Sequence, residues 1–578
     1  MSDHDDEKKM ATHGASGSSG SGEAYDSKTA MAVITDSPYS PPTTSNTSPS
    51  SAPVINAKSV DEGAALMLEY ESELQNVTED EYNKLRRKID WHLLPLMLAM
   101  YMIQFCDKTS LGNAAILGIK QDNHLTQDRF NQCSSFFYIG YLVAEYPVNI
   151  LLQRFRTGRV LTFAVFSWAL LMLAHLSSNS FAGLLTLRIL LGVVESCVTP
   201  GFLALTSSYY KFDEQASRVG YWFLMNGAAI ILNALVAYGV QGVHLGDWRP
   251  WRVFFLILGL MTTVLFVLYF FFMPDTPATA WFLSPRERAM AIKRVSSANR
   301  TGTKNKHFKR DQFVEALRDP KIYLFALYAI FSNIPNSLTV QRSIIINQLG
   351  FDTLQSALLN IPTGVLEIIC IPAATYLARK WKNHTADVMA LWTLPSLVGA
   401  SMLIGLGQDH KVARLVGVFL APLNTSGFVL SLAWCSASNS GSTKKSVANA
   451  IQLIAYCVGN LAGPYIWRAE YAPQNIVPWA IVLVSYFCCI PTGYALKWIM
   501  SSENKRRDAL AADGAGVASK EGHDVKVRLG GSEGEGGEGE KAAAAAQSPD
   551  EAGQPAVKLD TALLDLTDKQ DLHFRYPL

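Results

Sequence analysis

Arg188 and Glu195 stand seven residues apart inside an apolar run from Phe181 to Tyr209, long enough to cross a bilayer. At about 100° per residue that separation is roughly 700°, about 20° short of two turns, with about 10.5 Å of rise. Both side chains therefore share one helix face, too far apart along the axis for easy pairing. A charged residue at the centre of a membrane helix costs about 2.5–3.5 kcal/mol on insertion scales, so this face should look into protein or water. In an aqueous path the guanidinium could hold an anion while the carboxyl trades a proton. The competing reading is a buried pair satisfied by neighbouring helices.

Other ionisable groups fall in apolar stretches. Asp107 and Lys108 are adjacent, so their side chains point about 100° apart, one toward a cavity and one toward a neighbouring helix. Lys108 with Arg188 could clamp a carboxylate, for which Arg supplies a planar fork; alternatively Lys108 snorkels to the outer interface. Glu195 is the first candidate for a coupling acid, because a buried carboxyl resists ionisation and can travel protonated. Glu145, near Pro147, either carries protons or closes an inner gate, and Glu367, between Pro362 and Pro372, is a second proton site or an interhelix bond. Asn226, Asn333, Asn336, Asn424 and Asn460 could line a cavity as neutral donors, although Asn is also ordinary glue between membrane helices. The eight cysteines show no metal-ligand spacing, and no nucleophile–base set or phosphate loop is present. No enzyme, metal or cofactor is expected, and a net charge of +1 gives no reason to expect nucleic acid.

The elements that must hold these residues are membrane helices. Charged residues make up 17% of the chain and hydrophobic ones 49% although both tails are polar, so the middle is far more apolar than this average. About twelve runs of spanning length lie between Trp91 and Met500, six before a polar break and six after it. They lack the short alternating segments of a barrel, so an all-α membrane protein is predicted. Lys84, Arg86, Arg87 and Lys88 precede the first run, and the even-numbered connections carry more cations (Arg154, Arg156 and Arg159; Lys444 and Lys445) than the odd ones. Both termini should therefore be cytoplasmic. Arg342 falls, in this reading, in the connection between spans 7 and 8. The sequons at Asn46, Asn76, Asn299, Asn383 and Asn424 then lie where no glycan is added.

Six segments follow. Residues 1–60 read as a disordered tail and 61–90 as a juxtamembrane helix opened by a Thr78–Glu81 capping box. Residues 91–273 form the first six-helix half. Residues 274–320 are a linker in which Ser284-Pro285-x-Glu287 starts an amphipathic helix suited to the inner membrane surface. Residues 321–501 form the second half, and 502–578 read as a disordered tail.

Several motifs occur in order. Arg87-Lys-Ile-Asp-Trp-His-Leu-Leu-Pro95, Asp107-Lys108 through Ala114, and Gly140-Tyr-Leu-Val-Ala-Glu145-Tyr-Pro147 occupy the first two spans. Arg188-x-x-x-Gly192-x-x-Glu195 with Pro200-Gly201 marks the fourth, Trp222 to Gly227 the fifth, and Thr443-Lys444-Lys445-Ser446 through Gly463-Pro464 the eleventh. Asp565 through Tyr576 adds a closing motif. In this order and spacing the chain resembles the major facilitator superfamily, and within it the fungal anion:cation symporters that include the allantoate permease. The resemblance implies twelve transmembrane helices in two six-helix halves that rock about a midplane site, and a basic residue at Lys108 for anion recognition. One loop departs from the family pattern: Gln153 to Arg159 keeps the basic residues without an Asp, and Leu377 to Asn383 is similarly eroded.

The expected function is a proton-coupled symporter importing a small organic anion, such as allantoate, ureidosuccinate or a carboxylate vitamin. The substrate set is Arg188, Lys108, Asn226, Asn333 and Asn336; the proton set is Glu195, Glu145, Asp107 and Glu367. The partners are that anion, protons and the lipid bilayer, and the chain should act as a monomer in the plasma membrane. A non-transporting nutrient receptor on the same fold, or an exporter of another solute class, are the alternatives.

Overall fold

A computed structural model of the chain describes residues 66–67, 69–243, 246–299, 309–518, 567–570 and 574–578. The tail expected over 1–60 and most of the one after 518 lie outside the described residues. Six helices form the first half: α1 (Glu79–Ile116), α2 (Gln127–Arg154), α3 (Thr157–Ala174), α4 (Phe181–Tyr209), α5 (Phe212–Gly239) and α6 (Pro250–Phe272). The second half holds α7, in two pieces (Pro320–Asn333 and Leu338–Gln348), α8 (Thr353–Lys380), α9 (Thr385–Gly405), α10 (Lys411–Ala437), α11 (Ser442–Ala462) and α12 (Ile476–Ala518). We call the face where α1 begins and α12 ends the terminal face, and the opposite one the far face.

Ten of the twelve are long and apolar enough to span a membrane by length and composition. The other two are α7, broken into pieces of 14 and 11 residues, and α11, which is polar. Pro335 interrupts α7 with a turn of tighter helix over Pro335–Ser337, and α11 carries Lys444, Lys445, Gln452 and Asn460.

Local signals place several boundaries. Thr78 and Glu81 cap α1 reciprocally, and Thr126 and Ser180 cap α2 and α4 with their hydroxyls. The juxtamembrane helix expected to end at 90 and the first span are one helix: α1 runs unbroken from the cap through Pro95 to Ile116. The last helix likewise continues past 501 to Ala518.

The linker helix Pro285–Asn299 starts at its predicted cap, with Ser284 and Glu287 bonded reciprocally. It does not simply lie on lipid. Ala289, Met290 and Ala291 are buried against the protein, and Lys88–Glu287, Arg286–Glu81 and Arg294–Glu214 ion pairs fasten it to α1 and α5. Asp275, just after α6, supplies the acid missing from the loop between α2 and α3. It accepts from the Arg159 backbone N–H at 3.0 Å and stands 3.4 Å from the Arg159 guanidinium.

Close crossings hold the helices together. A Cβ on Gly192 of α4 would fall 2.0 Å from the Phe137 carbonyl oxygen of α2, and one on Gly140 would fall 2.2 Å from that of Ile189. Between the halves, Gly227 of α5 and Gly364 of α8 meet reciprocally, at 2.4 and 2.6 Å from the opposing carbonyl oxygens.

At the far face the halves are bonded shut. Ser343 donates to Asn113 (2.7 Å), Gln341 to Asn131 (2.9 Å), Asn131 to the Trp467 carbonyl (2.6 Å) and Ser135 to the Leu461 carbonyl (2.9 Å).

Gly192→Leu should force α2 and α4 apart at a cost of about 3 kcal/mol. Loss of the monodisperse peak in size-exclusion chromatography of detergent extracts checks this. Gly239→Ala, which meets nothing within 4 Å, should elute unchanged.

Candidate functional site

A narrow hollow of about 90 Å³ lies between the two halves. From the first half come Lys108 on α1 and Asn226 on α5; from the second come Asn333, Asn336 and Arg342 on or beside α7, and Glu367 on α8. Tyr101, Tyr138, Phe223, Phe428 and Tyr456 supply aromatic walls. Such a mixture of apolar wall and a few convergent polar groups is what holds a small solute in place.

Two cations face this space. The Lys108 ammonium lies 5.4 Å from the Tyr141 ring centroid and 6.0 Å from that of Phe137, so aromatic faces rather than a direct acid accompany it. Arg342, 3% exposed, lies in the second piece of α7 rather than in an outer loop as its position between predicted spans implied. Helix continues through Ile344–Gln348, so the span is longer than its most apolar core. The Arg342 Nε and Nη2 atoms are buried without a hydrogen-bond partner, as is Oε2 of Glu367. Buried polar atoms are almost always paired, so these orphans mark a place where a ligand or water completes the set.

The asparagines are partly committed to one another. Asn336 donates to Asn460 at 2.6 Å, and Asn460 donates to Asn333 at 3.3 Å, joining α7 to α11. Asn424 is held by Thr393 and Ser332. Asn226 keeps an unpaired Oδ1.

Arg188 and Glu195 do share a buried face, at 2% and 0% exposure, but neither lines the hollow. The Arg188 guanidinium sits behind α1, donating to the Asp107 carbonyl (3.5 Å) and the Ser110 hydroxyl (3.4 Å) and lying over the Phe255 ring. The Asp107 carboxylate points away from the hollow and accepts from Trp168 Nε1 at 2.6 Å. Both oxygens of Glu195, Nε of Arg188 and Oδ1 of Asp107 are buried without partners. Glu195 is near enough to Lys108, Arg188 and Asp107 for their charges to act on one another, with no direct ion pair. Glu145 is half-buried on α2 away from the hollow, with Oε1 accepting from Asn149 at 3.4 Å.

Sequence reasoning thus brought Lys108, Asn226, Asn333, Asn336 and Glu367 to one space and missed Arg342. The missed signal was the apolar Ile344–Ile346 run that follows it.

A match to the Major Facilitator Superfamily spans residues 97–464. The chain belongs to that superfamily. It is 35% identical over 481 residues to the allantoate permease of Saccharomyces cerevisiae, covering 81% of this chain and 88% of that protein. It is also 35% identical over 435 residues to the uncharacterized transporter C460.05 of Schizosaccharomyces pombe, with 75% and 81% covered. Among solved structures, a D-xylose-proton symporter shares the fold with a TM-score of 0.54 at 11% identity, over 69% of this chain and 97% of that one. This facilitator is therefore a multi-pass membrane transporter of small solutes, allantoate permease-like in sequence, and not an enzyme.

Trp168→Phe would leave the Asp107 carboxylate with no partner on either oxygen. A loss of about 1.5–3 kcal/mol is expected, read as a lower melting temperature of the purified protein, and adding Asp107→Leu should recover part of it.

Proposed function

We propose that this transporter imports a small organic anion, a ureide such as allantoate or ureidosuccinate or a carboxylate vitamin, together with protons. The observation that carries the reading is the unpartnered Arg342 guanidinium in the wall of a hollow that Lys108 also faces. Two cations contributed by opposite halves suit a carboxylate, and Arg342 can grip it with a planar fork. Cationic solutes would meet the wrong charge. Neutral donors from Asn226, Asn333 and Asn336 suit the amide groups of a ureide, and the sequence likeness to allantoate permease supports the same class.

Protons enter the cycle through Glu195. Ionised, it holds Lys108 electrostatically from behind α1; protonated, it releases that cation to the substrate. Arg188 then acts on the proton side, keeping Asp107 and Glu195 in a positive field, rather than touching the anion. Glu367 plays the matching part for Arg342. Glu145, remote from the hollow, belongs with the α2 end of the proton route. The cation bias of the connections supports a cytoplasmic terminal face, and the plasma membrane is the bilayer that import of a nutrient from outside requires. One chain encloses the whole hollow, so a monomer suffices.

Uptake of labelled allantoate into cells lacking their own permease tests the reading, with accumulation abolished by a protonophore. Arg342→Ala should lower uptake by about 100-fold, since a charge-assisted contact to a desolvated anion is lost. Glu195→Gln should retain exchange of internal for external substrate while losing proton-driven accumulation. Uptake indifferent to Arg342→Ala and to external pH would end the proposal.

A further inference from the structure

Segment 567–578 is separated in sequence from α12, yet its described residues are built into the terminal face of the second half. Asp568 is fully buried. Its carboxylate pairs with Lys444 at 2.9 Å, with the Lys321 ammonium, and accepts from the Tyr576 hydroxyl at 2.6 Å. Lys321 and Lys444 stand in the first turns of α7 and α11. Asp319 and Glu315 complete the cluster, each 2.8 Å from Lys444 Nζ, and Thr567 donates to Glu315 at 2.9 Å.

The rest of the segment reaches other helices. Trp434 Nε1 of α10 donates to the Pro577 carbonyl at 2.7 Å, and Asn504 of α12 both donates to and accepts from the Tyr576 backbone at 2.9 Å. The Thr385 backbone N–H, at the start of α9, donates to the Leu578 carbonyl at 3.0 Å. One stretch thereby joins α7 and α9 to α10, α11 and α12, across both three-helix groups of the half. None of these partners lines the hollow.

The location gives the contact a use. Alternating access requires the far-face bonds to break while the terminal ends of the two halves approach. α2 and α11 pack against each other toward the far face, where Ser135 bonds Leu461 and the Tyr138 and Tyr456 rings lie 6.1 Å apart. The ends that must approach are Arg154 on α2 and the Lys444 turn on α11, both cationic. Without Asp568, Lys444 keeps Glu315 and Asp319 but Lys321 keeps only Asp319 at 3.4 Å, and bringing so weakly paired an ammonium into a drier interface is unfavourable. We infer that segment 567–578 is a strap whose docking permits the terminal face to close and the far face to open. Undocked, it leaves the transporter held with the far face shut. The inference rests on alternating access by this fold and is independent of which solute is carried.

Burial alone would push the Asp568 carboxyl up, but Lys321 and Lys444 overcome this and hold it down at about 2. A carboxyl so depressed contributes stability above its unfolded value near 3.9, lost only as the pH falls toward 2, so docking persists across about pH 5–8.

The test uses the purified full chain in lipid nanodiscs with Val340→Cys, a position buried in the far-face seal, and follows maleimide labelling against the chain without that cysteine. Labelling reports opening of the far face and needs no solute, so it stands even where the anion reading fails. Removing 567–578, or Asp568→Ala, should slow labelling about ten-fold, and Asp568→Glu should restore it to within about three-fold of the intact chain. Labelling unchanged by removal overturns the inference, as does failure of Asp568→Glu to restore it. Should the shortened chain not accumulate, Tyr576→Phe, which deletes one hydroxyl bond to Asp568, is read instead. A slowing of about two- to three-fold supports the strap, and none overturns it.

Discussion

A full positive charge is costly to hold inside hydrocarbon unless something negative or polar is brought to it. That constraint organises this structure. Lys321 and Lys444 meet it with carboxylates, ringed by Asp319, Glu315 and Asp568. Arg188 meets it with a carbonyl, a hydroxyl and the face of Phe255. Arg342 and Lys108 meet it only in part, and they are the two cations that border the space between the halves. Arg188 and Arg342 each keep an unpaired buried nitrogen, and of the two only Arg342 borders that space.

The same contrast gives the first half two layers of charge separated by α1. Asp107 and Lys108 are neighbours in sequence but face opposite ways: Asp107 toward Trp168, Lys108 toward the hollow. Glu195 lies where its field reaches both layers. Under the proposed coupling, a proton gained or lost there would change the potential at Lys108 without any atom of Glu195 entering the hollow. Electrostatic coupling of this kind needs only a dry intervening helix, because low dielectric lets a single charge act over several ångströms.

Much of this could be read from residues alone. Span positions followed from apolar length, the starts of α1 and of the linker helix from capping residues, and the gathering of Lys108, Asn226, Asn333, Asn336 and Glu367 from polar groups in apolar runs. What failed was azimuth between helices. The seven-residue spacing puts Arg188 and Glu195 on one face of α4, but a helix's own period does not say whether that face meets a hollow or the back of α1. Arg342 escaped because hydropathy ends a span where polarity rises, and in α7 that happens inside the protein. Composition likewise suggested a featureless tail after 501, whereas Asp568 and Tyr576 find partners that are distant in sequence. The acid supplied by Asp275 to Arg156 and Arg159 was hidden for the same reason.

The meeting of Gly227 with Gly364 has a mechanical consequence. Two backbones touch there, each carbonyl seated where the other residue's first side-chain carbon would be, with Ile368 and Ile231 packed into the same notches. Interlocked side chains would have to unmesh before α5 could tilt on α8, and large ones would jam. A wedge as small as one methyl group at either glycine would spread the seam between the halves.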